Sequence, residues 1–281
     1  MKTMLLLFPH PDDESFSVGG TVAKYVKNGW TVHLILATNG EKGQSGFFSW
    51  AQGDALGALR QEETRHAANI LGISDVQFLG LPDGGLSTLT PGTLEDPFFK
   101  AMLHFLPDIV ITFDGTGITG HPDHIKVSYA ATFAFQKYAG YLEQLKNPAF
   151  YTRGRGKPWK EEEYLRAFGD TRLLKEPKLY YVCLPASSVA FLQKAKQIPE
   201  VSFGKPWKGV PDKTITTVID ITHFKLLKGK ALLSHATQLQ NVDQFISFAK
   251  NPELERECFI LRLHGIYEIF MGKRDRVSDR L

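Results

Sequence analysis

Short apolar runs and polar turns alternate along the first half of the chain. Residues 4–8 (MLLLF), 31–37 (TVHLILA), 75–78 and 108–113 (DIVITF) are brief and rich in aliphatic and β-branched side chains, as expected of strands buried on both faces. Helical spacing separates them. Gly19-Gly20 precedes a pattern at Val22, Ala23, Tyr25 and Val26 that stops near Asn28-Gly29, and a glycine there suits a helix end. A helix is predicted over 56–71, stopped by Gly72, with Arg60, Glu63 and His66 sharing one side that reads as a solvated charged face. Further helices are predicted over 96–105 and, as an amphipathic segment, 125–138. This strand–loop–helix beat repeats four times, which implies a parallel sheet with right-handed crossovers. The expected fold class is α/β, a Rossmann-like three-layer sandwich with a mostly parallel sheet and its active site at the carboxyl ends of the strands.

The rhythm breaks at residues 140–176, a basic and aromatic stretch that also holds Lys160-Glu161-Glu162-Glu163. It reads equally as a substrate-side insertion and as a surface excursion. Beyond it, strands are predicted over 178–184 and 214–221, helices over 187–197, 223–240 and 241–250, a Gly/Pro-rich loop over 203–211, and a mixed segment with a final strand over 259–270. The aromatics at 47–50 read as core in preference to a substrate rim.

Composition narrows the function classes. A chain of 281 residues with 43% hydrophobic content has enough material for one sizeable core, so a single domain over 1–281 is expected. The formal charge of +3 gives no case for nucleic acid or an anionic membrane. The apolar start is cut off by Pro9-His10-Pro11 and no stretch approaches the ~18 apolar residues of a spanning helix, so no integral membrane segment and a cytoplasmic location are expected. Cys183 and Cys258, the two cysteines, lack metal-ligand spacing and read as buried small side chains.

The chemistry collects in two places. Residues 9–14 (PHPDDE) follow the first strand, and Gly120-His121-Pro122-Asp123-His124 follows the strand over 108–113. Burying such charge without a partner is costly, so both turns belong at the open edge of the sheet, where they can meet around a cation. Imidazoles with a carboxylate and no thiolate suit a zinc ion in a catalytic site, with a position left for water, although other divalent metals fit as well. Asp12 and Asp13 leave the backbone in different directions, so one can bind metal while the other faces the water.

These motifs resemble those of the LmbE-like (PIG-L) zinc N-deacetylases, which include the N-acetylglucosaminyl-phosphatidylinositol deacetylases and the mycothiol- and bacillithiol-pathway deacetylases. The resemblance rests on residues 9–14 with Gly19-Gly20, on 38–43 (TNGEKG), Arg60 with Glu63, 81–84 (LPDG) and 120–124 (GHPDH). It covers residues 4–138, with 234–238 (SHATQ) as a later match carrying His235. It implies one Zn2+ per chain held by His10, Asp13 and His124. Asp12 would be the general base. His121, oriented by Asp123, would stabilise the oxyanion or protonate the amine. Arg60 would contact substrate, and Glu14 and Asp83 would support the site from outside the ligand set. The implied substrate is a small N-acetylated sugar or sugar conjugate; the sequence leaves a homo-oligomer open. The segment at 47–50, the long 140–176 stretch and the overall length depart from compact members. Two other readings stay open: a metal-dependent phosphoesterase, which prefers two metals, and a non-catalytic sugar or nucleotide binder, against which the missing G-x-G-x-x-G counts.

Overall fold

The first strand, β1 (Thr3–Phe8), is the middle of an eight-stranded sheet in the computed structural model, which describes residues 2–46, 48–146, 160, 171–239, 255–272 and 275–281. Its side chains alternate between two cores, as a strand's period of two requires. Met4, Leu6 and Phe8 join one apolar cluster, and Leu5 and Leu7 the other. Helices cover both faces. On the first lie α1 (Asp13–Lys27), α2 (Asp54–Leu71) and α7 (Lys225–Leu233), and on the second α3 (Glu95–Phe105) and the long α5 (Pro122–Lys146).

The parallel part of the sheet runs β3 (Asp75–Leu81), β2 (Thr31–Thr38), β1, β4 (Ile109–Phe113), β5 (Lys178–Cys183). Successive crossovers go one way from β1 to β3 and then jump back to β4, so the order reverses between β1 and β4. Ligands of such sheets sit at that reversal, where loops on the two sides splay apart. In-register pairing of Met4 with Ile109 and of Leu6 with Leu34 sets the carboxyl ends of the three central strands level. The expected α/β architecture is the one observed. An antiparallel flank extends it: β9 (Arg256–His264) pairs with β5, and both β8 (Thr217–Asp220) and β10 (Tyr267–Glu268) pair with β9.

Several boundaries differ from the periodicity. The first helix begins at Asp13, so Gly19-Gly20 lie inside it. The reason is close packing: a Cβ on Gly20 would come within 2.5 Å of Ile221 Cδ1. The N–H groups of Gly20 and Thr21 donate to the Glu257 carboxylate at 3.0 and 2.7 Å. The helix expected over 223–240 stops at Leu233, because His235 takes a non-helical backbone; a short 3-10 turn, Ala236–Gln238, follows. Within 203–211 the chain closes a small hairpin of β6 (Val201–Ser202) and β7 (Lys205–Pro206). Trp50 is 70% exposed, which corrects the core reading for that ring. Phe47, residues 147–159, 161–170 and the segment 240–254 lie outside the described residues, and with them most of the 140–176 stretch and the 241–250 helix; 140–146 simply continue α5. Cys183 and Cys258 face each other across β5 and β9, buried and not joined as a disulfide, with Cys183 Sγ donating to the Cys258 carbonyl at 3.5 Å, and burial pushes the Cys183 thiol well up. Among the described residues no helix is long and apolar enough to cross a membrane.

Candidate metal centre

Both His-Pro-Asp turns arrive at the β1–β4 reversal. The first leaves β1 and becomes the start of α1. Asp12 stands at its corner with φ of 101°, in the left-handed region, a conformation that costs a non-glycine residue on the order of 1–3 kcal/mol and persists only where the surroundings fix it. The Asp12 carbonyl accepts from Ser15 and Phe16 N–H at 3.0 Å each, and its N–H donates to Glu14 Oε2 at 3.2 Å. The second turn follows β4 and a kinked turn, α4 (Gly117–Gly120), and enters α5 at Pro122.

Three ligand-type side chains converge. His10 Nδ1 lies 3.3 Å from His124 Nε2 and 3.6 Å from an Asp13 oxygen; His124 Nε2 is 3.5 Å from the other. Tetrahedral zinc with bonds of about 2.0–2.1 Å spaces its ligands about 3.3–3.4 Å apart, so this triangle fits one such ion with little adjustment. Orientation supports the fit. His124 Nδ1 donates to the Gly117 carbonyl at 3.2 Å, which leaves the Nε2 lone pair facing the triangle. Burial, outweighing the Asp13 charge, holds His124 down at about 4, so it is a neutral donor near pH 7. Burial alone would raise Asp13, but its interaction with His124 and its hydrogen bonds and charge contact with His10 lower it.

A carboxylate shell backs His10. Its Nε2 lies 3.1 Å from Asp83 Oδ1 and 3.3 Å from Asp123 Oδ2. Desolvation would lower the His10 pKa, yet Asp123, Asp13 and Asp83 raise it well above the usual imidazole value. The pocket thus favours positive charge. Despite its burial, Asp83 is lowered to about 2, chiefly by His10. A second grouping, His10 with His121 and Asp123, also has ligand-type atoms within 4.8 Å of one another. Its donors are already committed, however. Both Asp123 oxygens accept backbone N–H groups, from Gly84 at 2.7 Å and Leu86 at 3.1 Å, and His121 Nδ1 accepts the Asp123 N–H at 3.0 Å. His10 is shared by the two groupings, so the arrangement suits one ion.

That last contact fixes the His121 tautomer. A backbone N–H only donates, so Nδ1 carries the lone pair and Nε2 the proton. Burial and the neighbouring His10 lower the His121 pKa, which keeps the ring neutral. The sequence expectation had Asp123 orienting His121; its carboxylate instead supports His10 and the Gly84–Leu86 turn, and only its backbone touches His121.

Asp12 lies outside the ligand triangle. Burial, reinforced by Asp13 and Glu14 and opposed by Arg60 and His235, brings its carboxyl up to about 7, where a general base is most effective near neutrality. Arg60 was expected to meet substrate. It is 4% exposed, and its guanidinium donates to Asp12 Oδ2 at 3.2 Å, to the Pro11 carbonyl at 2.6 Å and to the Gly40 carbonyl at 2.9 Å. It therefore holds the turn and Asp12 in place from behind. The 38–43 loop is shaped to admit it: a Cβ on Gly40 or Gly43 would stand 2.3 Å from Arg60 Nη1. Arg60 and Glu63 are buried and His66 is exposed, so the helix side read as a solvated face is split.

Three contributors were missed or left open by the sequence. Fully buried His235 reaches Glu14 Oε1 at 3.0 Å and Ser15 Oγ at 3.1 Å. Thr237 donates through N–H and hydroxyl to the two oxygens of Glu63, at 2.8 and 2.7 Å. Phe203, at the hairpin tip with φ of 48°, sets its ring edge-on to His121 with centroids 4.6 Å apart while remaining 56% exposed. Its strained backbone beside a site histidine was the signal, and only coordinates reveal it.

Comparison with known proteins gives the chain's relatives. The PIG-L family model, described as GlcNAc-PI de-N-acetylase, matches residues 5–135. A 1D-myo-inositol 2-acetamido-2-deoxy-alpha-D-glucopyranoside deacetylase of Saccharopolyspora erythraea is 31% identical, with 92% of each chain covered. Among solved structures, N,N'-diacetylchitobiose deacetylase of Pyrococcus horikoshii superposes with a TM-score of 0.58 at 20% identity, covering 92% of this chain and 82% of that one. The 4-carboxy-2-hydroxymuconate hydratase GalB of Pseudomonas putida reaches 0.61 at 18% identity, covering 96% and 100%. A hydratase and a deacetylase thus share the fold, so these two likenesses speak for architecture and leave chemistry to the site.

Proposed function

The chain belongs to the PIG-L family of GlcNAc-PI de-N-acetylases, and on that footing we propose that it is a zinc-dependent N-deacetylase of N-acetylglucosamine-type substrates. The observation that carries the reading is the division of labour in one small volume: three ligand-type groups spaced for a tetrahedral ion, a separate carboxyl poised near neutrality, and a neutral imidazole with its proton on the outward nitrogen. His10, Asp13 and His124 would hold the ion, one per chain, which when bound acidifies water and polarises an amide carbonyl.

The chain's own groups do the rest. Asp12 accepts a proton from the attacking water through the oxygen not engaged by Arg60. The His121 Nε2–H donates to the carbonyl oxygen as it gains charge, and a preformed donor of this kind is worth about 10²–10³ in turnover. The amine then leaves with the proton that Asp12 took from the water, which returns Asp12 to its anionic form. Glu14, fixed by His235, and Asp83, fixed by the Lys42 N–H and the Glu41 carboxylate, keep Asp12 and His10 in register. The substrate is a small N-acetylated sugar or conjugate, the relatives' named substrates being of that class. A two-metal phosphoesterase fits less well, because His10 is common to both ligand groupings among the described residues.

The test pairs metal analysis with acetate release from N-acetylglucosamine and its conjugates, on protein stripped by a chelator and reloaded with zinc. One ion per chain with zinc-dependent release supports the proposal. Two ions with phosphoester cleavage and no acetate overturn it.

A further inference from the structure

Behind the ligand triangle lies a cavity of about 380 Å³, lined on one side by Asp13 and His124 themselves. Its walls are mainly apolar, drawn from Phe113, Ile118, Val182, Leu184, Leu192 and Ile198. Of its charged lining residues beyond Asp13, two are buried and paired with each other, Lys228 Nζ meeting Glu257 Oε1 at 2.6 Å while Glu257 also takes the two α1 N–H groups, and the third is the exposed Arg256. Gln197 Oε1 and Trp207 Nε1, on two further lining residues, are a buried acceptor and a buried donor without partners among the described residues, suited to water or a hydroxyl and not to an ion. A water molecule's share of liquid volume is about 30 Å³, and an acetyl methyl group needs little more. The cavity is many times too large for that group, and it is apolar where an amide's acyl side would enter.

Its position fixes which side of the amide it serves. His121, Asp12, Asp123 and Phe203 do not line it. With the carbonyl oxygen on the His121 Nε2–H, the polar sugar on the amide nitrogen belongs on the side of Asp12 and Phe203, outside the apolar walls. The carbonyl carbon's other substituent then points past His124 and Asp13 into the cavity. Ile118, which lines the cavity wall, has φ of 60° and ψ of −61°, an outlier for a β-branched residue.

We propose that this cavity binds the acyl chain of the scissile amide, and that the preferred substrates carry a linear N-acyl group longer than acetyl. The proposal rests on the deacetylase reading and departs from the acetamido group named for the relatives. Water cleaves the C–N bond in the same way, giving a longer carboxylate and the free amine.

The experiment compares kcat/KM for N-acetyl-, N-butyryl-, N-hexanoyl- and N-octanoylglucosamine on the full chain. The expected result is a rise of up to about fourfold per added methylene, the equivalent of about 0.8 kcal/mol for each CH₂ buried, until the chain fills the cavity. A flat or falling series overturns the proposal. So does a gain that follows the alkyl group of octyl N-acetylglucosaminide in place of the acyl group, since that assigns the cavity to an aglycone. Leu192→Trp should lower the octanoyl-to-acetyl ratio at least tenfold; an unchanged ratio in folded L192W places the chain elsewhere. Octanoate and acetate binding, followed by calorimetry, separates this proposal from the one beneath it. Tighter octanoate binding, lost in L192W, with no amide hydrolysed would uphold the cavity as an acyl-chain site and remove the deacetylase. Equal binding of the two carboxylates overturns the acyl site even where acetate is released.

Discussion

The two turns share the tripeptide His-Pro-Asp and use it in opposite ways. In the first, the histidine, His10, faces the ion site and the aspartate, Asp12, is left without a backbone donor to its carboxylate, raised to about 7 by burial. In the second, the histidine, His121, stands outside the ligand triangle, and Asp123 is saturated by two N–H groups and held low despite its burial. The residue after each tripeptide, Asp13 or His124, is a ligand candidate in both. Identical chemistry thus acquires different roles from what the surrounding loops offer, the same logic by which paired acids in one site are driven apart.

The comparison breaks most completely if its shared member fails. His10→Ala, Asp13→Ala or His124→Ala should take bound zinc from about one per chain to near zero and activity to background, read by elemental analysis and turnover; a variant that retains a full metal complement removes that residue from the ligand set. Asp12→Asn comes next: metal retained, kcat down by roughly 10²–10⁴. Wild-type turnover in D12N would transfer the base role elsewhere. His121→Ala should cost about 10²–10³ in kcat, again with metal in place. Asp123→Asn tests the contrast directly. Because its carboxylate backs His10, the prediction is a 10–100-fold weaker zinc affinity, measured by competition with a chelator, and a smaller loss of kcat at saturating zinc than in H121A. Arg60→Met should appear mainly as instability, about 3–5 kcal/mol for a buried pair stripped of one partner, by denaturant titration; full stability with a large rise in KM would restore the substrate-contact role.

Much of this was legible in the sequence. The apolar runs at 4–8, 31–37 and 108–113 announce central strands because each is bounded by abrupt polarity, and the two turns declare themselves by packing acids and imidazoles into a few positions. What stayed hidden depends on partners far along the chain. Nothing near Asp123 says that its carboxylate will find Gly84 and Leu86, 39 and 37 positions away. Arg60 reads as surface on its helix because its partners lie in two loops that glycines hold open for it. Gly19-Gly20 looks like a helix boundary until Ile221 and Glu257 supply the reason for two glycines in mid-helix. The end of the 223–240 helix is decided by burial of His235 against Glu14, a contact 221 positions long.

That distance bears on how the molecule assembles. Glu14 and Glu63 lie in the first quarter of the chain, and the groups that satisfy them, His235 and Thr237, are among the later residues made. Until the 235–238 turn docks, Glu63 lacks its two Thr237 donors and Glu14 its imidazole partner, and the Asp12 corner lacks part of the prop that holds its strained backbone. Contacts of such sequence separation form slowly, and a chain emerging from its amino end can lay down β1 to β4 well before they are available. Catalytic competence is thereby tied to completion: a nascent chain or a late truncation that has built the sheet would still carry an unfinished site.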